Sequence, residues 1–131
     1  MKYVSTRGEA PVLGFADVLL EGLARDGGLY VPESLPPLSH SLDLADYDRF
    51  ATGVMAPYAD GFRDLAGHVR AAYGFFDRPE VVPIVDLGDG IHVMELFHGP
   101  TLAFKDLALQ LVGRLMDAEL THRRDRRTIL V

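Results

Sequence analysis

The sequence predicts a mixed α/β fold, organised as one compact domain or as one small domain plus part of another. Three observations predict it. Short runs of β-type alternation recur between stretches of helical periodicity. Glycine- and proline-rich turn chemistry separates them. The chain then closes on "TILV" (residues 128–131), an apolar run that reads as the opening of a fully buried strand of a parallel sheet. A buried strand without continuation suggests a piece of a longer protein.

The elements follow in order. "KYVST" (residues 2–6) alternates as a short strand does. Over residues 14–24, Phe15, Val18, Leu19 and Leu23 recur at helical spacing. Residues 25–38 carry turn chemistry: Asp26-Gly27-Gly28 permits positive φ, and Pro32, Pro36 and Pro37 stop any helix. Leu29, Tyr30 and Val31 between them form a short extended segment. An amphipathic helix is expected over 44–60, with Asp43 or Asp46 as its cap and Pro57 near its end. Another is expected over 62–76, where Leu65, Val69, Ala72 and Tyr73 share a face and Gly74 marks the end. "DLGDG" (residues 86–90) supplies a hairpin turn before a strand over 91–98. The last helix is expected over 104–120.

Composition narrows the function classes. Of 131 residues, 48% are hydrophobic and 24% charged, the balance of a globular protein. A formal charge of −6 argues against nucleic acid as a partner. The absence of cysteine removes disulfides, thiolate catalysis and thiolate metal sites. No apolar run reaches the roughly 18 residues of a membrane span, and the N-terminus lacks the apolar segment of a secretory signal. A cytoplasmic setting without membrane attachment is expected. No histidine has a partner at metal-ligand spacing, so no metal site is assigned.

The candidate site lies in "ELFHGPTLAFKDLALQLVGRLM" (residues 95–116). On a helical wheel Phe104, Leu107, Ala108, Leu111, Val112 and Leu115 form an apolar arc, opposite Asp106, Gln110, Gly113, Arg114 and Asp117. Lys105 falls on the flank of the apolar arc, near Leu109 and Val112. Lys2 and Lys105 are the only lysines among 13 basic side chains. The pattern admits two readings of Lys105. It can snorkel, its stem covering the core edge and its amine in water. It can also be an amine whose pKa is lowered by apolar neighbours and the helix dipole, suited to attack a carbonyl as a Schiff-base lysine. Before it, Gly99-Pro100 fixes a turn. Thr101 suits an N-cap, or its hydroxyl can join the free N–H groups of the helix start in holding a phosphate or carboxylate. His98 suits either a structural role or acid–base work on a substrate. The run "HRRDRR" (residues 122–127) reads as a solvated helix end.

Three stretches, "YVSTRG" (3–8), "GLARDGGLYVPESLP" (22–36) and "ELFHGPTLAFKDLALQ" (95–110), resemble the successive N-terminal motifs of the threonine synthases. The resemblance covers nearly the whole chain, most weakly over 39–78. It implies a small α+β N-terminal domain over 1–85 and, over 86–131, the beginning of a catalytic domain of the pyridoxal-phosphate-dependent, tryptophan-synthase-β-like fold (fold type II). It implies conversion of O-phosphohomoserine and water to threonine and phosphate. Lys105 matches the lysine that holds pyridoxal 5'-phosphate as a Schiff base and then carries protons, with Phe104 beside it as a wall of the ring pocket. His98 and Thr101 are the candidate substrate contacts. The family's serine- and glycine-rich phosphate loop would follow the "TILV" strand, so this chain by itself is expected to be inactive. Its open sheet edge invites pairing with a second copy. Two other readings are a serine or threonine dehydratase of the same fold, against which the N-terminal motifs argue, and a non-catalytic relative that binds phosphorylated ligands, which retention of Lys105 disfavours.

Overall fold

The computed structural model describes residues 1–38 and 42–128. Its first half is built on a three-stranded antiparallel sheet of order β2-β1-β3: β1 (Lys2–Ser5), β2 (Leu13–Gly14) and β3 (Tyr30–Pro32). Tyr3 pairs with Leu13 on one side and Pro32 on the other, and Ser5 pairs with Tyr30. The period-2 pattern sends Tyr3 and Ser5 to the buried face. Pro32 ends an edge strand, where a missing N–H costs no ladder bond.

The first two motifs are knitted together by Asp26. Its Oδ1 accepts from the Ser5 hydroxyl (2.7 Å) and the Gly28 N–H (2.9 Å). Its Oδ2 accepts from the N–H groups of Glu9 (3.0 Å) and Ala10 (2.9 Å). Arg7 Nη1 donates to the Asp26 carbonyl at 3.0 Å. A Cβ at Gly28 would collide with the Ser5 hydroxyl, which is why glycine stands there. Burial raises the Asp26 pKa, but the bonds from Ser5 and the backbone amides outweigh it and leave the carboxyl below its ordinary value.

Helix α1 (Phe15–Glu21) is shorter than the expected 14–24. Gly22 ends it at φ +71, and Leu23, counted above on its apolar face, leaves the helix to bridge Leu29 and lies exposed. Helix α2 (Tyr47–Met55) likewise starts later and stops earlier than 44–60. Asp46 stands at its N-cap position without a side-chain cap bond, whereas Asp43 Oδ1 accepts from Ala45 N–H at 3.0 Å in the approach. Helix α3 (Leu65–Tyr73) is capped by Asp64, which sits at φ +48 and accepts from Gly67 N–H at 3.2 Å.

Helix α4 (Asp106–Arg123) closes the core. Ala51, Ala59, Leu65, Val69, Ala72, Leu111 and Leu115 form one buried cluster across α2, α3 and α4, with Val69 fully enclosed. Alanines at 51 and 72 keep the helix contacts close. Phe15 meets Phe62 edge-on at 5.6 Å, and Tyr47 meets Tyr73 edge-on at 5.0 Å. At its far end Arg123 pairs with Glu119 (2.6 Å) and with Asp17 of α1 (2.7 Å).

The remaining element is a hairpin of β4 (Ile84–Gly88) and β5 (Ile91–Met94), turned by Gly88, Asp89 and Gly90, all at positive φ. The expected strand to 98 stops at Met94. Both faces of the hairpin are exposed, with Ile84 63% and Met94 57% accessible. A division of the chain at 85/86 falls inside β4, and α4 shares its core with α2 and α3. Among the described residues every strand pairing is antiparallel. The strand expected at "TILV" falls on Ile129–Val131, outside the described residues. No helix among those described is long and apolar enough to cross a membrane.

Candidate active site

The segment between β5 and α4 carries the candidate residues, and two carboxylate-centred networks shape it. At its start Glu95 N–H donates to Pro83 O (3.0 Å), and Asp77 N–H donates to His98 O (3.0 Å). His98 is 7% exposed. Its Nδ1 lies 2.8 Å from Asp77 Oδ1 and its Nε2 lies 2.6 Å from Glu95 Oε2. The bond to Glu95 raises its pKa most; burial opposes this, and Asp77 adds to the rise. A protonated ring donates to both carboxylates at once. In this chain His98 therefore ties the 95–98 segment to Asp77, and both its nitrogens are engaged.

The second network centres on Asp106, 3% exposed. Its Oδ2 accepts from the Thr101 N–H (2.8 Å) and hydroxyl (2.9 Å), and its Oδ1 from Gln110 Nε2 (3.2 Å). This corrects the placing of Asp106 on the polar, outward side of the helix. Thr101 is likewise not the N-cap: the helix begins five residues later, and the N-cap position is Lys105. Nor are the helix-start N–H groups free for an anion. Those of Asp106, Leu107 and Ala108 donate to the carbonyls of Ala103, Phe104 and Lys105 at 3.0, 3.3 and 3.1 Å.

Lys105 is exposed, and among the described residues its amine has no ion pair or side-chain hydrogen bond. The apolar arc expected around it is only half realised. Leu111 and Leu115 are buried and Leu107 and Val112 half-buried, but Ala108 is exposed and Phe104 is 65% accessible. The helix packs on α1 and α3 along one side only, and the 99–105 loop carries Phe104 and Leu102 away from that side. The surface around Lys105 is thus a primary amine with bare aromatic and aliphatic side chains. That chemistry fits the aldehyde and the flat ring of pyridoxal 5'-phosphate (PLP), whereas the spent N–H groups of the helix start offer no cradle for its phosphate.

Sequence reasoning missed Asp106 and Asp77. A Thr at 101 bonding an Asp at 106 spans five residues, outside the four-residue capping pattern. Nothing local in the sequence links Asp77 to His98, though Glu95 and His98 stand three residues apart.

The family model for the N terminus of threonine synthase matches residues 2–73, and the chain belongs to that family. It is 48% identical to threonine synthase of Pseudomonas aeruginosa over 99% of its own length and 29% of that protein. Among solved structures it superposes on a PLP-bound threonine synthase from Brucella melitensis with TM-score 0.91 and 50% identity, covering 96% of this chain and 29% of that one. It superposes on threonine synthase from yeast with TM-score 0.86 and 34% identity, covering 93% of this chain and 27% of that one. The chain thus spans less than a third of these relatives and corresponds to the N-terminal region of a threonine synthase.

Proposed function

We propose that the full-length protein is a threonine synthase, a PLP-dependent lyase converting O-phosphohomoserine and water to threonine and phosphate, and that Lys105 carries the cofactor. The observation that carries this reading is an exposed Lys105, without an ion pair among the described residues, at the start of α4 and within the third family motif. When bound, PLP would supply a sink for the electrons released as the substrate loses its Cα and Cβ protons, so that phosphate can leave Cγ, Cγ can take up a proton, water can add at Cβ and Cα can be reprotonated. Lys105 Nζ would hold the cofactor by its aldehyde carbon, and the same amine would move the proton at Cα. Phe104 and its exposed neighbours cover one side of the ring and exclude water. His98 and Thr101 remain the candidate substrate contacts, and both also hold the loop that carries Lys105. We place the full-length protein in the cytoplasm, where charge would retain its phosphorylated substrate.

The 131-residue chain alone we propose to be inactive, and to pair with a second copy through an open sheet edge, for which the bare β4–β5 hairpin is a candidate beside the strand expected at 128–131. Borohydride treatment of the PLP-loaded full-length protein tests the reading. The expected result is a phosphopyridoxyl mass on the peptide containing Lys105, lost in Lys105→Ala. A stable adduct on another lysine, with none on Lys105, would refute it.

A further inference from the structure

The loop between Gly99 and Lys105 holds a strained residue. Leu102 sits at φ +61, a region that an L residue with a bulky side chain seldom occupies. Its own side chain cannot hold it there, being 71% exposed. The restraint comes from beside it. Leu102 N–H closes a turn onto Gly99 O at 3.0 Å, and the preceding residue, Thr101, gives both its N–H and its hydroxyl to Asp106 Oδ2. Gly99 lies so close that a methyl group there would meet the Asp106 carboxylate, 2.5 Å from Oδ2 and 2.8 Å from Cγ. Gln110 satisfies the other carboxylate oxygen from one turn further along α4. Backbone strain that persists only because its surroundings over-determine it tends to mark places where a geometry is being held for use.

We propose that Asp106 is the positioning residue of this site: by clamping Thr101 and Gly99 it holds the strained Leu102 turn and so fixes where Lys105 presents its amine. The inference rests on the reading of Lys105 given above. Asp106 is buried and fully bonded within the chain, so it does not touch the cofactor; it acts through the backbone. The clamp joins residue 101 to residue 106 across the short loop that contains Lys105. With residue 106 anchored in the helix, the Lys105 Cα loses the freedom to swing. Preorganisation of a reacting group by partners one layer out is a general requirement of precise sites. The carboxylate charge at the first turn of α4 is favoured by the helix dipole as well.

The test uses the full-length protein with two readouts. The first is amide hydrogen exchange of residues 101–105 before PLP is added. The second is the rate at which PLP becomes fixable to Lys105 by borohydride. In Asp106→Asn, which keeps the size but not the charge, exchange is expected to quicken and fixation to slow about 10-fold or more, as for other outer-layer losses. Leu102→Gly placed in the Asp106→Asn background is expected to recover part of the rate, because glycine adopts positive φ without being held. If Asp106→Asn does not fold, Thr101→Val removes the hydroxyl bond alone and is expected to move both readouts in the same direction, by less. A folded Asp106→Asn protein with wild-type exchange and wild-type fixation would overturn the clamp. A wild-type protein with slow exchange over 101–105 but no adduct at Lys105 would overturn the cofactor reading and leave the clamp supported.

Discussion

Replacing Gly99 with alanine puts a number on how tightly the turn before α4 is packed. The new methyl carbon would stand 2.5 Å from Asp106 Oδ2 and 2.8 Å from its Cγ, against ordinary carbon contacts of about 3.5–4.0 Å. Neither side yields easily. Gly99 is itself buried, and the Asp106 side chain is held by Thr101 and Gln110. Overpacking of this kind costs about 1–3 kcal/mol. With a urea m-value of about 2 kcal/mol per M, the unfolding midpoint falls by about 0.5–1.5 M. Urea titration of the 131-residue chain, followed by far-ultraviolet circular dichroism, reads this directly. A second substitution identifies the cause. The collision involves the Asp106 Cβ itself, so Asp106→Ala leaves it in place and Asp106→Gly removes it. In the double-mutant cycle Asp106→Gly should therefore be less harmful beside Gly99→Ala than in the wild type. A Gly99→Ala midpoint within about 0.2 M of wild type, or strict additivity in the cycle, would show that the turn has room and that the close approach is not a constraint.

Four further outcomes follow from the same structure. Leu111→Ala empties part of the α2–α3–α4 core and should cost about 2–5 kcal/mol, visible as a lower urea midpoint; a loss below about 1 kcal/mol would mean α4 is not anchored there. The Asp26 carboxyl is held below its ordinary pKa, so the unfolded chain binds the extra proton first as the medium is acidified; its stabilising contribution is complete above the unfolded carboxylate value of about 3.9 and is lost as pH falls through the lower folded value. Thermal melts from neutral pH to about pH 3 should show a steeper acid loss in wild type than in Asp26→Asn, and parallel curves would contradict it. His98 titrates the other way: its raised pKa gives stability that is complete below about pH 6.5 and is lost as pH rises through the folded value, so its ring resonances should titrate above the ordinary histidine value, and a midpoint at or below it would break the account. Finally, sedimentation of the 131-residue chain should show concentration-dependent association that Val85→Lys and Ile91→Lys weaken; a monomer at every concentration would remove the hairpin as its cause.

The parts of the fold that could be read from sequence are those fixed by neighbours a few residues apart. The β1 alternation, the Gly88–Gly90 turn and the Leu65, Val69, Ala72 stripe of α3 all belong to this class, and each appears where expected. Helix ends were harder because single residues decide them: Gly22 at positive φ stops α1 against a periodicity that runs on to Leu23. The helix over 104–120 shows the limit most clearly. Its wheel holds only for Leu111 and Leu115: it puts Phe104 and Ala108 inside and Asp106 outside, while α4 packs along Leu111, Leu115 and Leu120 and buries Asp106 and Glu119 with them. Asp106 escapes pattern reading because its partner Thr101 comes from outside the helix, and Glu119 because the Arg123 one turn on from it lies past the expected helix end and also binds Asp17 of α1.

That same asymmetry of α4 bears on where the chemistry is completed. One side of the helix start is fixed within this chain, by the Asp106 and His98 networks and by the helix core. The other side presents Lys105, Phe104 and Leu102, and the hairpin elsewhere in the chain leaves Ile84, Leu87, Ile91 and Met94 bare on both faces. A two-stranded hairpin exposed in this way is marginal in water by itself, and an amine in open solvent lacks the dry surroundings that tune it for proton transfer. Both shortfalls have the same kind of remedy: apolar cover over the hairpin would stabilise it, and apolar cover over the Lys105 side of α4 would desolvate the amine. Val85→Lys in the full-length protein tests whether one surface does both: slower PLP fixation at Lys105 would show a shared cover, and unchanged fixation would show separate ones.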